Sequence, residues 1–273
     1  MHADRGLADI ISNDAAANLA AFQALIAGIP YERKGILFSE MFFFWLCART
    51  VNPPRILESG RARGQSTLIL SHCFPDAEIL SVEHDRNSPD VDIAAGRLKA
   101  RSNVRQLFGD ASRMLPEMAR PGDVSLIDGP KGYRGLRLAL GLLADGTTPL
   151  VFVHDTSAGS EERRYLSRHM PEAVYSDLPA FAEVAHHLDQ GVWEEVPAAN
   201  RWTPAGAPQA GYGFSLACLH YQNRRNYRLL RLKAVLGGIS HQMMKHWTEK
   251  RGTAASRHLV AKLSAAPAAE RAA

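Results

Sequence analysis

Between residues 55 and 155 the chain alternates between two patterns, and this alternation limits the possible folds more than any other feature. Short apolar runs stand at 55–60 (RILESG), 77–84 (AEILSVEH), 103–110 (NVRQLFGD), 123–129 (DVSLIDG) and 149–155 (PLVFVHD). Most are followed by a turn and a stretch of helical spacing, which predicts helices at 65–73, 91–101, 112–119, 134–144 and 161–169. Strands that alternate with helices of about ten residues pair in parallel, because each crossover returns the chain to the same end of the sheet. The expected fold class is α/β, with a doubly wound, mostly parallel sheet of seven strands. The last two strands are expected from VWEEV at 192–196 and GFSLACLHY at 213–221, with a helix at 181–190.

The flanks divide the chain into an N-terminal helical segment (1–50), the alternating domain (51–221) and a tail (222–273). Helices are predicted at 8–27 and 36–48, the second so apolar (Phe42, Phe43, Phe44, Trp45) that it reads as core. Residues 197–213 have the proline and glycine content of a long loop that shapes a site. The tail predicts a basic helix over 224–251, interrupted at Gly237-Gly238, and a frayed end at 265–273. Its charge differs from that of the rest. Of the 32 Lys and Arg, 11 fall after residue 220, with only Glu249 and Glu270 of the 28 acids, so a tail of +9 follows a body of −5. The pI near 9 therefore describes the tail and does not argue that the body binds nucleic acid.

Cys47, Cys73 and Cys218 are far apart and lack paired spacing, which reads as reduced thiols in a cytoplasmic protein without a zinc site or disulfide framework. The opening MHADRGLADI lacks a basic-then-apolar layout, and the longest apolar run (41–48) is far short of the roughly 20 residues that span a bilayer.

The predicted strands end in acids: Glu83 or Asp85, Asp110, Asp128 and Asp155. Ligands of open α/β sheets bind beyond the carboxyl ends of the strands, so one rim gathers these groups. The first strand runs into ESGRARGQS, 58–66, where Gly60 and Gly64 permit a tight turn before a helix whose first N–H groups are free. The spacing is G-x-x-x-G, without the dinucleotide pattern. Glu83, followed by His84, is placed to accept both ribose hydroxyls of an adenosine. Asp110, Ala111 and Ser112 are placed to border its adenine.

These segments together resemble the class I S-adenosylmethionine-dependent methyltransferases, over about 36–156. The likeness is nearest to the metal-dependent O-methyltransferases of the catechol and caffeoyl-CoA type. ESGRARGQS is similar to that branch's E-x-G-x-x-x-G-x-S, and DGPK at 128–131 to its D-x-x-K. The resemblance implies a Rossmann-like fold and S-adenosylmethionine held by Glu58, Gly60, Arg61, Gly64, Ser66, Glu83, His84, Asp110, Ala111, Ser112 and Asp128. It also implies Mg²⁺ or another divalent cation on Asp128 and Asp155, with Asp128, Lys131 and His154 as the catalytic set. One departure stands out: the branch ends strand five in Asp-Asn, whereas here Asp155 precedes Thr156. Macrocin O-methyltransferases and cephalosporin hydroxylase-like proteins resemble this chain in having other endings there.

The implied reaction is methyl transfer to a hydroxyl of a small molecule or glycan. Lys131 acts as base if burial or positive charge depresses its pKa; without metal, His154 is the better base. Two other readings stay open, an inactive cofactor-binding protein acting through its tail and a hydroxylase-like enzyme. The basic helix suits docking within a homo-oligomer or on its own body, or peripheral contact with an anionic membrane through 224–251. Nucleic acid suits it least, for want of a recognisable RNA module.

Overall fold

The computed structural model describes residues 6–32, 35–189 and 214–264. Among them one sheet of seven strands has the order β3-β2-β1-β4-β5-β7-β6. The strands are β1 (Arg55–Ser59), β2 (Glu78–Glu83), β3 (Val104–Phe108), β4 (Val124–Ile127), β5 (Leu150–Val153), β6 (Val174–Tyr175) and β7 (Ala217–His220). β1 to β5 pair in parallel, while β7 runs antiparallel between β5 and β6. This is the Rossmann-like order of a class I methyltransferase fold.

Most strands are buried on both faces, because helices cover both. On one side lie α1 (Leu7–Ile26), α2 (Phe38–Ala48), α3 (Gln65–Cys73), α4 (Asp90–Leu98) and α8 (Pro179–Ala185). On the other lie α5 (Ala111–Met118), α6 (Tyr133–Ala144), α7 (Glu161–His169) and α9 (Tyr227–Ser264). α2 is buried along its whole length, and its Phe42 and Trp45 stack with Phe22 of α1 at 5.0 and 5.7 Å. The aromatic run is core, and the N-terminal helices share the core of the alternating domain.

VWEEV lies outside the described residues; the seventh strand of the described sheet is the two-residue β6, too short to leave an alternation in sequence. One expectation changes. α9 passes through Gly237-Gly238 without interruption. A Cβ on Gly237 would stand 2.6 Å from Tyr133 Cε1, and one on Gly238 3.1 Å from Tyr133 Cβ, so these glycines let α9 seat on the tyrosine of α6.

Register sets the rim. Ser59 lies level with Val82 and Ile127, so Gly60 emerges beside Glu83 and Asp128. Backbone bonds continue one step past the strands: Gly60 N to Val82 O (3.0 Å), Asp128 N to Ser59 O (3.0 Å) and His154 N to Ile127 O (2.9 Å). At the opposite ends, the buried pair Arg55–Asp123 locks β1 to β4.

Candidate active site at the carboxyl rim

The turn after β1 depends on its glycines. Gly60 has φ +86°, a conformation costly for any residue with a Cβ, and that Cβ would lie 3.0 Å from the Asp128 carbonyl carbon. Gly64 is left-handed at φ +76° and heads α3, where a Cβ would press on Leu98 and Ala94 of α4. Gly60 thus draws the turn against the strand that ends in Asp128, while Gly64 seats the start of α3 on α4.

Three predicted cofactor residues are turned inward. Glu58 is buried and accepts three hydroxyls, from Ser66, Thr67 and Ser81, each at 2.5 Å. Burial raises its pKa against the pull of these bonds. Ser66 is consumed by the same contact, so the pair ties β1 to α3 and β2. Arg61 is likewise sealed: its guanidinium donates to Ser81 O (2.5 Å) and lies over the Phe108 ring at 4.9 Å. It braces β2 and β3 from within, which corrects the expectation that it meets cofactor or solvent.

Glu83 is half-buried at the carboxyl end of β2. One oxygen accepts the N–H of Ala62 (2.8 Å), the other that of His84 (2.8 Å), so the carboxylate suspends the glycine turn. The second oxygen also takes the N–H of Asp85 (3.4 Å), so the open acceptor site is on the first. The His84 side chain is exposed beside it. Asp110 caps α5 through the N–H of Ser112 (2.9 Å), and that bond lowers its pKa; Ala111 is buried behind it and Ser112 is exposed.

Beyond β4 and β5 the titratable groups converge. One ligand atom from each of Asp128, His154 and Asp155 lies within 4.8 Å of the others. Lys131 places its Nζ 2.5 Å from both Asp128 Oδ1 and Asp155 Oδ2. His154 Nδ1 stands 2.8 Å from Asp128 Oδ1 and 3.2 Å from Asp155 Oδ1, without the N–H alignment of a hydrogen bond. Its Nε2 lies 3.2 Å from Oε2 of the buried Glu40. Asp155 has φ +61°, a left-handed conformation that aspartate tolerates better than most residues.

The carboxylates set the charge of both expected bases. Burial alone would lower the Lys131 pKa, but Asp128 and Asp155 outweigh it and hold the ammonium above its usual range. Burial also works against the His154 cation, yet Asp128 and Glu40, joined by Asp155, hold the imidazole well above its usual range. Both shifts favour the charged forms in this arrangement. Asp155 is correspondingly lowered: burial opposes its charge, but His154 and Lys131 prevail.

Sequence reasoning missed Glu40, Ser215, Glu162 and Asp189. Glu40 accepts the N–H and hydroxyl of Ser215 (both 2.8 Å) as well as facing His154; its only sequence signal was an acid alone in the apolar run FSEMFFFW. Glu162 accepts the N–H of Gly132 (2.5 Å) and so holds the DGPK turn. Asp189 caps the start of α2 through Phe38 N (2.9 Å). Thr156, where the resembling branch has its asparagine, is buried and engages Ser215 O through both its N–H and its hydroxyl (2.7 Å each). His154, on the other side of Asp155, stands third in the cluster with Asp128 and Asp155.

No known family profile matches the sequence, and no curated protein matches it. Solved structures do. One is the methyltransferase PaMTH1 of Podospora anserina bound to SAH, 16% identical over 76% of this chain and 88% of that one, with a TM-score of 0.42. Another is TomG of Streptomyces achromogenes, an O-methyltransferase of tomaymycin synthesis in complex with SAM, 18% identical over 78% and 91%, with a TM-score of 0.42. At such identity and overlap these likenesses carry no weight for function, and the fold rests on the sheet order itself.

Proposed function

We propose that this protein is an S-adenosylmethionine-dependent methyltransferase that modifies a hydroxyl of a small molecule or glycan with help from a divalent cation. The observation that carries the reading is the carboxyl rim beyond β1 and β2, where Glu83 suspends the Gly60–Gly64 turn and keeps an acceptor site open on Oε2. That site suits a ribose hydroxyl, and Asp110 to Ser112 follow the end of β3, one strand further along.

The rim also fits a cation by the chemistry of its donors. Asp128 and Asp155 offer carboxylate oxygens and His154 an imidazole, and the Lys131 ammonium already rests between the carboxylates as a positive charge would. An imidazole in the set suits manganese, iron or zinc as well as magnesium.

When bound, the cofactor supplies an electrophilic methyl group and the cation lowers the pKa of an acceptor hydroxyl. The remaining work belongs to the chain. Glu40 faces His154 Nε2, favouring a proton there and leaving the Nδ1 lone pair on the side of Asp128 and Asp155, where a cation would take it. The rigid ends of β4 and β5 hold the acceptor side at a fixed distance from the rim beyond β1, and such positioning supplies much of the acceleration in a displacement reaction. Lys131 becomes a competent base only when the charge of Asp128 and Asp155 is neutralised, which lets its pKa fall.

Calorimetric titration of the full chain with S-adenosylmethionine and S-adenosylhomocysteine, with and without Mg²⁺ or Mn²⁺, tests this. Wild type is expected to bind in the micromolar range, and Glu83→Ala at least tenfold more weakly, about 1.4 kcal/mol. Absence of heat and of any thermal shift with either ligand would remove the methyltransferase reading.

A further inference from the structure

Nine large apolar side chains are exposed among the described residues, and seven of them lie on α9 between Leu229 and Trp247. They form a patch rather than a scatter. α9 has two apolar sides. The inner side, with Tyr227, Leu230 and Ala234, is buried on α6 and α7, where Tyr165 Oη donates to Leu230 O (2.5 Å) and His241 pairs with Glu161 (2.6 Å). The outer side carries Leu229, Leu232, Leu236, Ile239 and Met243, exposed by 47, 54, 57, 50 and 69%. At about 100° per residue these five fall within an arc of roughly 80°, opposite the inner side.

Their spacing is 3-4-3-4, the repeat of a coiled-coil seam and narrower than the apolar face of a membrane-surface helix. The flanking positions agree. Beside the seam stand Arg228, Lys233, Val235, Ser240 and Gln242, so only two basic residues border it, both in its first half. An anionic membrane would be met better by basic residues along the whole length.

We infer that the outer face of α9 is the docking surface for a second copy of this chain, paired antiparallel through a two-fold axis between Leu236 and Ile239. In that register Leu232 lies level with Met243 of the other copy, and Leu236 with Ile239, giving four apolar layers. Arg228 of one copy stands about 20 Å along the axis from Lys233 of the other, beyond the screening length at physiological salt, whereas a parallel pairing would bring like charges to one level. At about 100 Å² exposed per side chain, the five residues with their polar flanks approach the ~800 Å² per partner of a standard interface. The contact is self-complementary and closes at two copies.

Sedimentation equilibrium of the full chain is expected to show a dimer, and Leu236→Lys/Ile239→Lys a monomer at the same concentration. Both positions are more than half or about half exposed, so the circular dichroism spectrum and thermal midpoint of the variant's folded body are expected to persist. Arg228→Cys then reports direction, because the native Cys47, Cys73 and Cys218 are buried and resist labelling. Spin labels there are expected to lie roughly 30 Å apart in the antiparallel dimer, against about 10–15 Å in a parallel one. A monomeric wild type, a dimer that survives the double substitution, or the short label distance each overturns the proposal. A monomer that sediments with phosphatidylserine vesicles, and loses that in the double variant, overturns it in favour of a lipid surface.

Discussion

At the scale of single residues, the molecule is governed by carboxylates that have no access to bulk water. Asp189 is the plainest case. Burial, reinforced by the charge of Glu40, pushes its carboxyl up to about 7 despite the N–H bonds it accepts from Phe38 and Ser39. A carboxyl with a folded pKa above its unfolded value near 3.8 binds the proton more tightly in the native state. Its contribution to stability is therefore complete below about pH 4 and is lost as pH rises through 7, on the order of 4 kcal/mol at most. Asp189→Asn keeps an acceptor for the α2 cap and removes the titration. Denaturant unfolding of the two proteins is expected to show the wild type losing stability between about pH 4 and 7 relative to the variant. Glu40 works in the opposite sense: burial raises its pKa, but His154 and Ser215 bring it below the usual range, and the His154 cation is held up in return. In Glu40→Gln the His154 ring resonances are expected to titrate at lower pH by NMR.

At the scale of elements, small residues decide how closely segments meet. The Gly60 turn exists because β1 and β4 end side by side, and a Cβ there would meet main chain, which cannot move aside as a side chain can. Gly237 makes the same point on a helix. Alanine is favoured over glycine in a helix interior by up to about 1 kcal/mol, so a free α9 would gain from Gly237→Ala. Docked on Tyr133, it has no room for the added carbon, and overpacking costs about 1–3 kcal/mol. The expected outcome is net destabilisation in chemical denaturation, with no change in cofactor binding. A stabilised variant would mean that α9 does not rest on Tyr133. These elements were legible in the chain to different degrees. β1 to β5 and their helices announced themselves through an alternation of apolar run, turn and helical period. β6 did not, since two residues carry no period, and Gly237-Gly238 read as a break because their missing side chains serve a neighbour remote in sequence.

At the scale of the whole molecule, the N-terminal helices and the sheet form one buried mass. Phe22 reaches Phe42 and Trp45, Phe43 and Phe44 reach Phe152 of β5, and Phe181 of α8 meets Phe42 and Phe43. Residues 1–50 thus share a core with the alternating domain. Removal of residues 1–35 uncovers the Phe42 and Trp45 faces of α2, and burying each such aromatic is worth several kcal/mol. The truncated chain is expected to lose its cooperative thermal transition, as followed by near-ultraviolet circular dichroism. Among the described residues no helix is long and apolar enough to cross a membrane.

The sequence by itself determined the sheet class, the rim and most of the acids on it, because strand ends and tight turns are local matters of period, glycine and proline. It also marked Asp128 and Asp155 as neighbours, since parallel strands end together. Tertiary structure alone decided which of those groups stay open at the rim and how their charge is biased. Glu58, Ser66 and Arg61 are adjacent in sequence to the glycine turn, yet packing sealed them inside. Glu40 stands 114 residues from His154, and no local pattern relates them. A pKa depends on burial and on charges a few ångströms away, and those distances exist only once the chain has folded.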